Sequence, residues 1–433
     1  MKDEKGGSIS GERRSLQLTG LWRNPDFMRL WIGQTISEFG SWLGALALLA
    51  ILVLDATPVQ MGVLETLKAL PALLIGLFAG VYVDRQRRRP ILLGADIGRA
   101  ILLGLVVILA FSGLLQMFLL YFVAFLVGSL TVLFNLAYQA YVPRLVRRGE
   151  LVEANSKLGA TASLAEIGSP ALGGFLVQII SAPLTLLLDA VSYLISAIFV
   201  GTIGRPEPAV SRPKIKRSIW PELTTGLRLV TTHPLLRATA GASAMRNFFG
   251  GFFAALYSLY VLRELGLTPV TLGILVGSGG LGAFLGAVIT GRFTKRFGWG
   301  NSLMISSFIA GLAALLIPLA GGSRWLAIAI LMISQLFGDI FLAIYFINEL
   351  SLRQSITPDH LLGRVNASFE FLVGGVGTIG ILIGGLVGEM LGLRPATAVA
   401  AIGMSLSILW LLMSPVRGLR DPADWILSNG TDH

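Results

Sequence analysis

Twelve stretches of about twenty mostly apolar residues, separated by proline, glycine and charge, dominate this sequence. A helix rising 1.5 Å per residue needs about that length to cross roughly 30 Å of hydrocarbon. The stretches fall at 28–54, 59–83, 91–112, 116–142, 156–180, 184–203, 237–262, 270–291, 301–320, 325–349, 364–391 and 395–414. Only 13% of the 433 residues are charged, against roughly 25% in a soluble protein, which excludes an ordinary cytosolic enzyme. The 52 glycines suit helices whose backbones approach closely in lipid. The polar first 27 residues lack the apolar run and cleavage site of a signal peptide and read as a tail.

The basic residues then orient the chain. Of 34, 28 lie at one set of span ends, three lie in the opposite loops (Arg263, Arg324, Arg394) and three lie within spans (Lys68, Arg99, Arg246). By the positive-inside rule both termini and the middle segment face the cytoplasm, as in a multi-pass protein of a bacterial-type inner membrane. The net charge of +10 is therefore a topology signal, and no nucleic-acid partner is expected.

One repeat recurs at an offset of 211 residues. Gly80, Asp84, Arg85 and Arg87 correspond to Gly291, Lys295, Arg296 and Gly298, and Asn155, Gly173 and Gly174 correspond to Asn366, Gly384 and Gly385. The expected organisation is a cytoplasmic tail (1–27), a six-helix bundle (28–203), a linker (204–236), a second six-helix bundle (237–414) and a C-terminal tail (415–433). In the linker, apolar Ile215, Ile219, Leu223 and Leu227 with Trp220 lie among Lys214, Lys216, Arg217 and Arg228, a pattern that reads as an interfacial helix serving as a tether.

Two six-helix halves around a central site is the plan of the major facilitator superfamily, and the motifs carry that resemblance. Gly80 to Arg89 resembles the family signature Gly-x-x-x-Asp-Arg-x-Gly-Arg-Arg, with Asp84, Arg85, Arg88 and Arg89 in place and Arg87 at the usual glycine. Ser169, Pro170, Gly173 and Gly174 resemble the exporter signature Gly-Pro-x-x-Gly-Gly, with Ser169 for its first glycine. Asn24 to Phe27, Gly94 to Asp96 with Arg99, and Glu150 to Ser156 resemble the branch that holds macrolide-efflux and enterobactin-export transporters. The resemblance implies a cavity lined by spans one, four, seven and ten. It further implies a cytoplasmic gate in which Asp96 and Arg99 brace the loop containing Asp84.

A charge at mid-bilayer costs at least about 2.5 to 3.5 kcal/mol, so each one needs a partner, a wet cavity or a task. Glu38, Glu166, Arg246 and Asp339 each lie about ten residues from the cytoplasmic end of their span, near the midplane. The functional expectation is that Glu38 and Asp339 carry a coupling proton, with Glu166 a second acidic site and Arg246 the counter-charge. The alternative is a static Arg246–Asp339 ion pair that fixes packing. Glu65 and Lys68, three apart, read as a local pair; Asp189 and Glu389 are placed to reach the interface. Asp84 is expected to latch the positive N-terminal end of span eleven near Gly363 and Arg364. Pro170 with the following glycines should bend helix five and let it pack closely.

For substrate, Phe39, Trp42, Asn135, Tyr138, Gln139, Phe249, Phe253, Phe341 and Tyr345 supply an apolar pocket with a few polar anchors. With the acidic residues they favour a lipophilic neutral or cationic compound, while Arg246 leaves an anionic siderophore open. There is no phosphate-binding loop, no cysteine, and only His233, His360 and His433 outside the spans, so ATP hydrolysis by that route, a membrane zinc or haem site and a Ser-His protease are excluded. The chain reads as a secondary transporter and not an enzyme: a monomer that exports a small molecule on a proton gradient, without a cofactor. A lipid or lysolipid flippase or an importer of the same fold is the alternative, and a receptor or scaffold is a third class.

Overall fold

A computed structural model describes residues 20–205, 207 and 219–421. Lipid offers no hydrogen bonds to a bare backbone, so each crossing must satisfy its own. The described residues accordingly form helices and contain no strand. The first crossing is α1 (Pro25–Ser41) and α2 (Ala45–Leu52), and the second is α3 (Pro58–Leu74) and α4 (Gly76–Asp84). Then come α5 (Arg88–Phe111), α6 (Met117–Leu145), α7 (Leu151–Ile180) and α8 (Ala182–Gly201). After α9 (Ile219–Thr232) the second set comprises α10 (Pro234–Leu259), which runs into a π turn at Tyr260–Glu264, then α11 (Pro269–Phe297) and α12 (Trp299–Leu319). It ends with α13 (Arg324–Ile356), α14 (Leu362–Leu391), α15 (Leu393–Leu406) and α16 (Ile408–Leu412).

Ten crossings are long and apolar enough as they stand, and two account for the difference from twelve. One is broken at Ile75, between α3 and α4. The other, α10, carries Thr239, Ser243, Arg246 and Asn247 among its apolar residues. The first crossing is not the continuous helix expected: it breaks at Trp42 to Gly44, where Gly44 adopts a left-handed φ of 67°. Helix starts follow the local chemistry. Thr57 and Gln60 form a capping box before Pro58, and Thr268 accepts from the Thr271 amide before Pro269. Apolar side chains such as Ile108, Phe118, Ile198 and Phe308 project from the bundle as its lipid-facing surface.

The duplication is written in the helix starts. Pro58 and Pro269, Arg88 and Trp299, Leu151 and Leu362, and Ala182 and Leu393 each open a helix, and each pair is 211 residues apart. The face carrying the connection into α9 is called here the basic face, and the opposite one the far face. Near the far face a single buried apolar cluster joins both halves, from Leu48, Leu49 and Leu64 through Val106 to Leu259, Leu272 and Leu331. Near the basic face the clusters belong to one half or the other: Phe27, Leu92, Phe134 and Tyr141 in the first, Leu235, Leu303 and Leu352 in the second. The halves are thus sealed on the far side and part toward the basic side.

The linker is held at both ends. The Glu207 carboxylate accepts from the Arg88 and Arg89 amides and lies 3.7 Å from the Arg88 guanidinium and 3.5 Å from that of Arg144. Helix α9 packs on α14 through Gly226, which meets Ser368 and Arg364, and through Val230, which joins Leu236, Val365 and Phe369. It therefore lies against protein on this side. Lys214, Ile215, Lys216 and Arg217 lie outside the described residues, as do the side chains of Ile219, Trp220 and Leu223.

Candidate functional site

Between the halves a cavity of about 660 Å³ runs among α3, α10, α13 and α14. Its wall combines small and apolar residues, among them Ala69, Leu73, Gly250 and Phe371, with Arg246, Asn247, Thr378 and Glu370. Arg246 projects from α10 and is 4% exposed. Its guanidinium lies 3.5 Å from the centroid of the Tyr345 ring. Tyr345, expected on the pocket wall, is instead fully buried beneath that guanidinium with its hydroxyl 3.3 Å from Ser243. On α13, Glu349 pairs with Arg353 at 3.8 Å, and Arg353 also meets Glu370 at 3.5 Å.

Asp339 occupies a neighbouring cavity of about 310 Å³, with Phe253, Tyr257, Ser334 and Met404 around it. Gln335, one turn earlier, donates to its Oδ2 at 2.8 Å. Glycines of α11 make this approach possible: a Cβ at Gly279 would collide with Asp339, and one at Gly280 would crowd Ile167 beside Glu166. That glycine stripe lies between Asp339 of α13 and Glu166 of α7. Glu38 lies apart in the first half, accepting from Gln34 at 2.7 Å. The four midplane charges therefore form separate groups, and among the described residues Arg246 and Asp339 make no ion pair.

The aromatic candidates divide in the same way. Phe253 lines the Asp339 cavity, whereas Phe249 packs on Gly403 of α15 and Phe341 lies 6.0 Å from Phe293 of α11. Tyr138 stacks on Phe134 at 5.9 Å, Phe39 is half-buried, and Trp42 and Gln139 are exposed. Asn135 lines a third cavity of about 480 Å³, walled by the first half and by Ile381 of α14 and shared with Ser41, Glu65, Lys68, Asp189 and Tyr193. There Lys68 meets Glu65 at 3.1 Å, the local pair expected. Asp189 does not reach the interface: it is buried against Gly40, and its Oδ1 has no hydrogen-bond partner.

The far-side seal is made by glycines. A side chain at Gly173 would strike the Leu43 backbone, and one at Gly174 would strike the Pro269 carbonyl of the other half. Pro170 presents its carbonyl to Gly273, while Ser169 is fully buried. The repeat places the same contact on the second seam, where Gly385 meets Pro58 and Gly62.

Residues 19–429 match the family described as transmembrane secretion effector. The chain belongs to this family of major facilitator transporters. It is 29% identical to the enterobactin exporter EntS of Salmonella typhi, over 93% of this chain and 95% of that one. Macrolide efflux protein A of Streptococcus pyogenes is 24% identical, over 62% of this chain and 66% of that one. Among solved structures a mutant of the nucleoside transporter NupG superposes with a TM-score of 0.75, covering 90% of this chain and 99% of that one at 13% identity. This last likeness speaks for the fold alone.

Within this transporter the signature loop lies at the basic end of α4, whose main packing is against α3 and α6 of its own half. Gly80 has open space around it, Arg85 is exposed, and Arg89 donates to the carbonyls of Val200 and Gly201. The side chain of Asp84 lies outside the described residues. Asp96 and Arg99 pair directly and are buried, with the guanidinium 4.5 Å from the Phe134 ring and 4.1 Å from that of Tyr193. They tie α5 to α6 and α8 inside the bundle; the Asp84 side chain, whose loop they are expected to brace, lies outside the described residues. The Arg364 carbonyl is covered by Gly226 of α9.

Arg263 is a contact that sequence reasoning missed. From the π turn it reaches into the first half, donating to the carbonyls of Ala56 at 2.8 Å and Ile51 at 3.2 Å and pairing with Asp55. Asp55 itself has a left-handed φ of 50°. The signal available was that Arg263 is one of three basic residues in the far-face loops; its partner, about two hundred residues away, was not readable.

Proposed function

We propose that this transporter exports a lipophilic small molecule by alternating access, with the basic face and both termini in the cytoplasm and the proton gradient as its energy source. The observation that carries the reading is the asymmetry of the cleft: a glycine seam on the far side, and on the basic side a cavity lined by Arg246 and Glu370. Such a cleft loads from the basic face, and the half-buried carboxylates of the two halves are suited to exchange protons as it wets and dries. Glu38 and Asp339 bind and release the coupling proton, Glu166 is the second acidic site, and Arg246 supplies the counter-charge. The protein acts as a monomer in contact with membrane lipid. The efflux relatives support the outward direction.

The test is a susceptibility panel on cells with and without the gene, followed by flux in proteoliposomes under an imposed pH gradient. Gradient-driven flux should fall at least about tenfold in Glu38→Gln and in Asp339→Asn, while gradient-free exchange persists. Wild-type rates in both variants would remove the proton-carrier role.

A further inference from the structure

Arg246 is 96% removed from solvent, and neither Nη1 nor Nη2 has a hydrogen-bond partner. A buried guanidinium left in that state costs several kcal/mol, and a native structure keeps one where a partner arrives later. One face is spent on Tyr345, so what remains unpartnered is the planar donor edge, which is covered in this state and is reached by a small movement of the cavity wall. The carboxylates in reach do not use it: Glu349 and Glu370 are both held by Arg353. The cavity that Arg246 lines, about 660 Å³, is within the usual range of small-molecule sites, and its remaining wall is largely Ala, Gly, Leu and Phe.

We propose that the two free Nη groups of Arg246 receive an oxyanion, a carboxylate or sulfonate, on a molecule whose apolar body lies against α3 and α14. A guanidinium fork matches two oxygens at once, which an ammonium cannot do. The substrate class is therefore lipophilic organic anions, and the pull of the acidic residues toward cationic compounds is secondary at this position. That the bound anion is transported rests on the export reading above; the binding contact does not.

Binding is measured without a gradient, on the purified protein in micelles, with anilinonaphthalene sulfonate and its sulfonate-free counterpart phenylnaphthylamine as fluorescent probes. On the wild type, naphthoate should displace the sulfonate probe, and naphthamide and naphthylmethylammonium should not. Arg246→Ala should weaken sulfonate binding at least about tenfold and leave phenylnaphthylamine within about twofold. Arg246→Lys, which keeps the charge and loses the fork, should fall between them, and it stands in if the alanine variant does not fold. Displacement indifferent to the charge of the competitor, or sulfonate affinity unaltered in Arg246→Ala, overturns the proposal. Proteoliposomes that bind the sulfonate yet move nothing under a proton gradient would sink the export reading and leave the oxyanion site standing. Flux of cations alone without sulfonate binding would do the reverse.

Discussion

Arg99 and Arg246 are both buried guanidiniums stacked on tyrosine rings, yet their surroundings assign them opposite behaviour. Arg99 has Asp96 beside it and aromatic rings of α6 and α8 around it, so removing either charge strands the other in a dry bundle. Arg99→Ala should cost about 3 to 5 kcal/mol, read as a lower thermal midpoint in detergent and in part recovered by also changing Asp96 to Asn. Outside the membrane, His233 caps α10 by accepting the Leu236 amide through Nδ1 at 3.5 Å, and burial lowers its pKa below the ordinary histidine range. The neutral ring is the capping form. Its contribution is therefore present above the unfolded value near 6.5 and is lost as pH falls from there through the folded value. His233→Asn should flatten the fall in thermal midpoint below pH 6.5, and an unaltered pH profile would show that the cap does not titrate. Charges whose partners lie one turn away were legible, as with Glu65 and Lys68. Asp189 and Arg263 were not, because their surroundings come from helices distant in the chain.

At the level of helices, small residues set the contacts. Gly174 and Gly385 occupy equivalent places in the repeat, and each faces the backbone at the start of a helix in the other half, Pro269 and Pro58. A methyl group there forces the far seam apart, at about 1 to 3 kcal/mol. Gly174→Ala and Gly385→Ala should both shift the population toward far-side opening, by roughly 5- to 150-fold. Because the chain has no cysteine, a single Val59→Cys in each background suffices: an impermeant maleimide added from the far side should label it faster in the alanine variants. Equal labelling rates would mean that the seam relaxes around a methyl. The sequence made the exporter motif visible and gave its close packing, but not its neighbours. In lipid an apolar side chain looks the same whether it faces a tail or a helix, so periodicity cannot say which helices meet.

Over the whole molecule, the duplication was legible because helix starts depend on local caps and prolines, and the 211-residue offset survived in four pairs of starts. The state of the cleft was not legible, since one cluster across both halves on the far side and separate clusters on the basic side are properties of the assembled chain. Spin labels at Arg85 and Glu370, on either side of the basic opening, should report a long distance in the resting protein that shortens when far-side opening is induced by Gly174→Ala. A distance that stays fixed while flux proceeds would rule out rocking of the two halves.

The glycine contacts of the far seal carry no charge, whereas among the described residues the Arg263 clamp is an ion pair across it, and the Asp55 carboxylate it grips is almost fully exposed at the far face. An ion pair so exposed contributes little in strong electrolyte, because the screening length shrinks from about 10 Å at 0.1 M to 3 Å at 1 M. With the far face outward, as proposed, the salinity of the surroundings, which the cell does not set, enters the gating equilibrium directly, and a cell in brine should find this transporter easier to open on its far side than the same cell in fresh water.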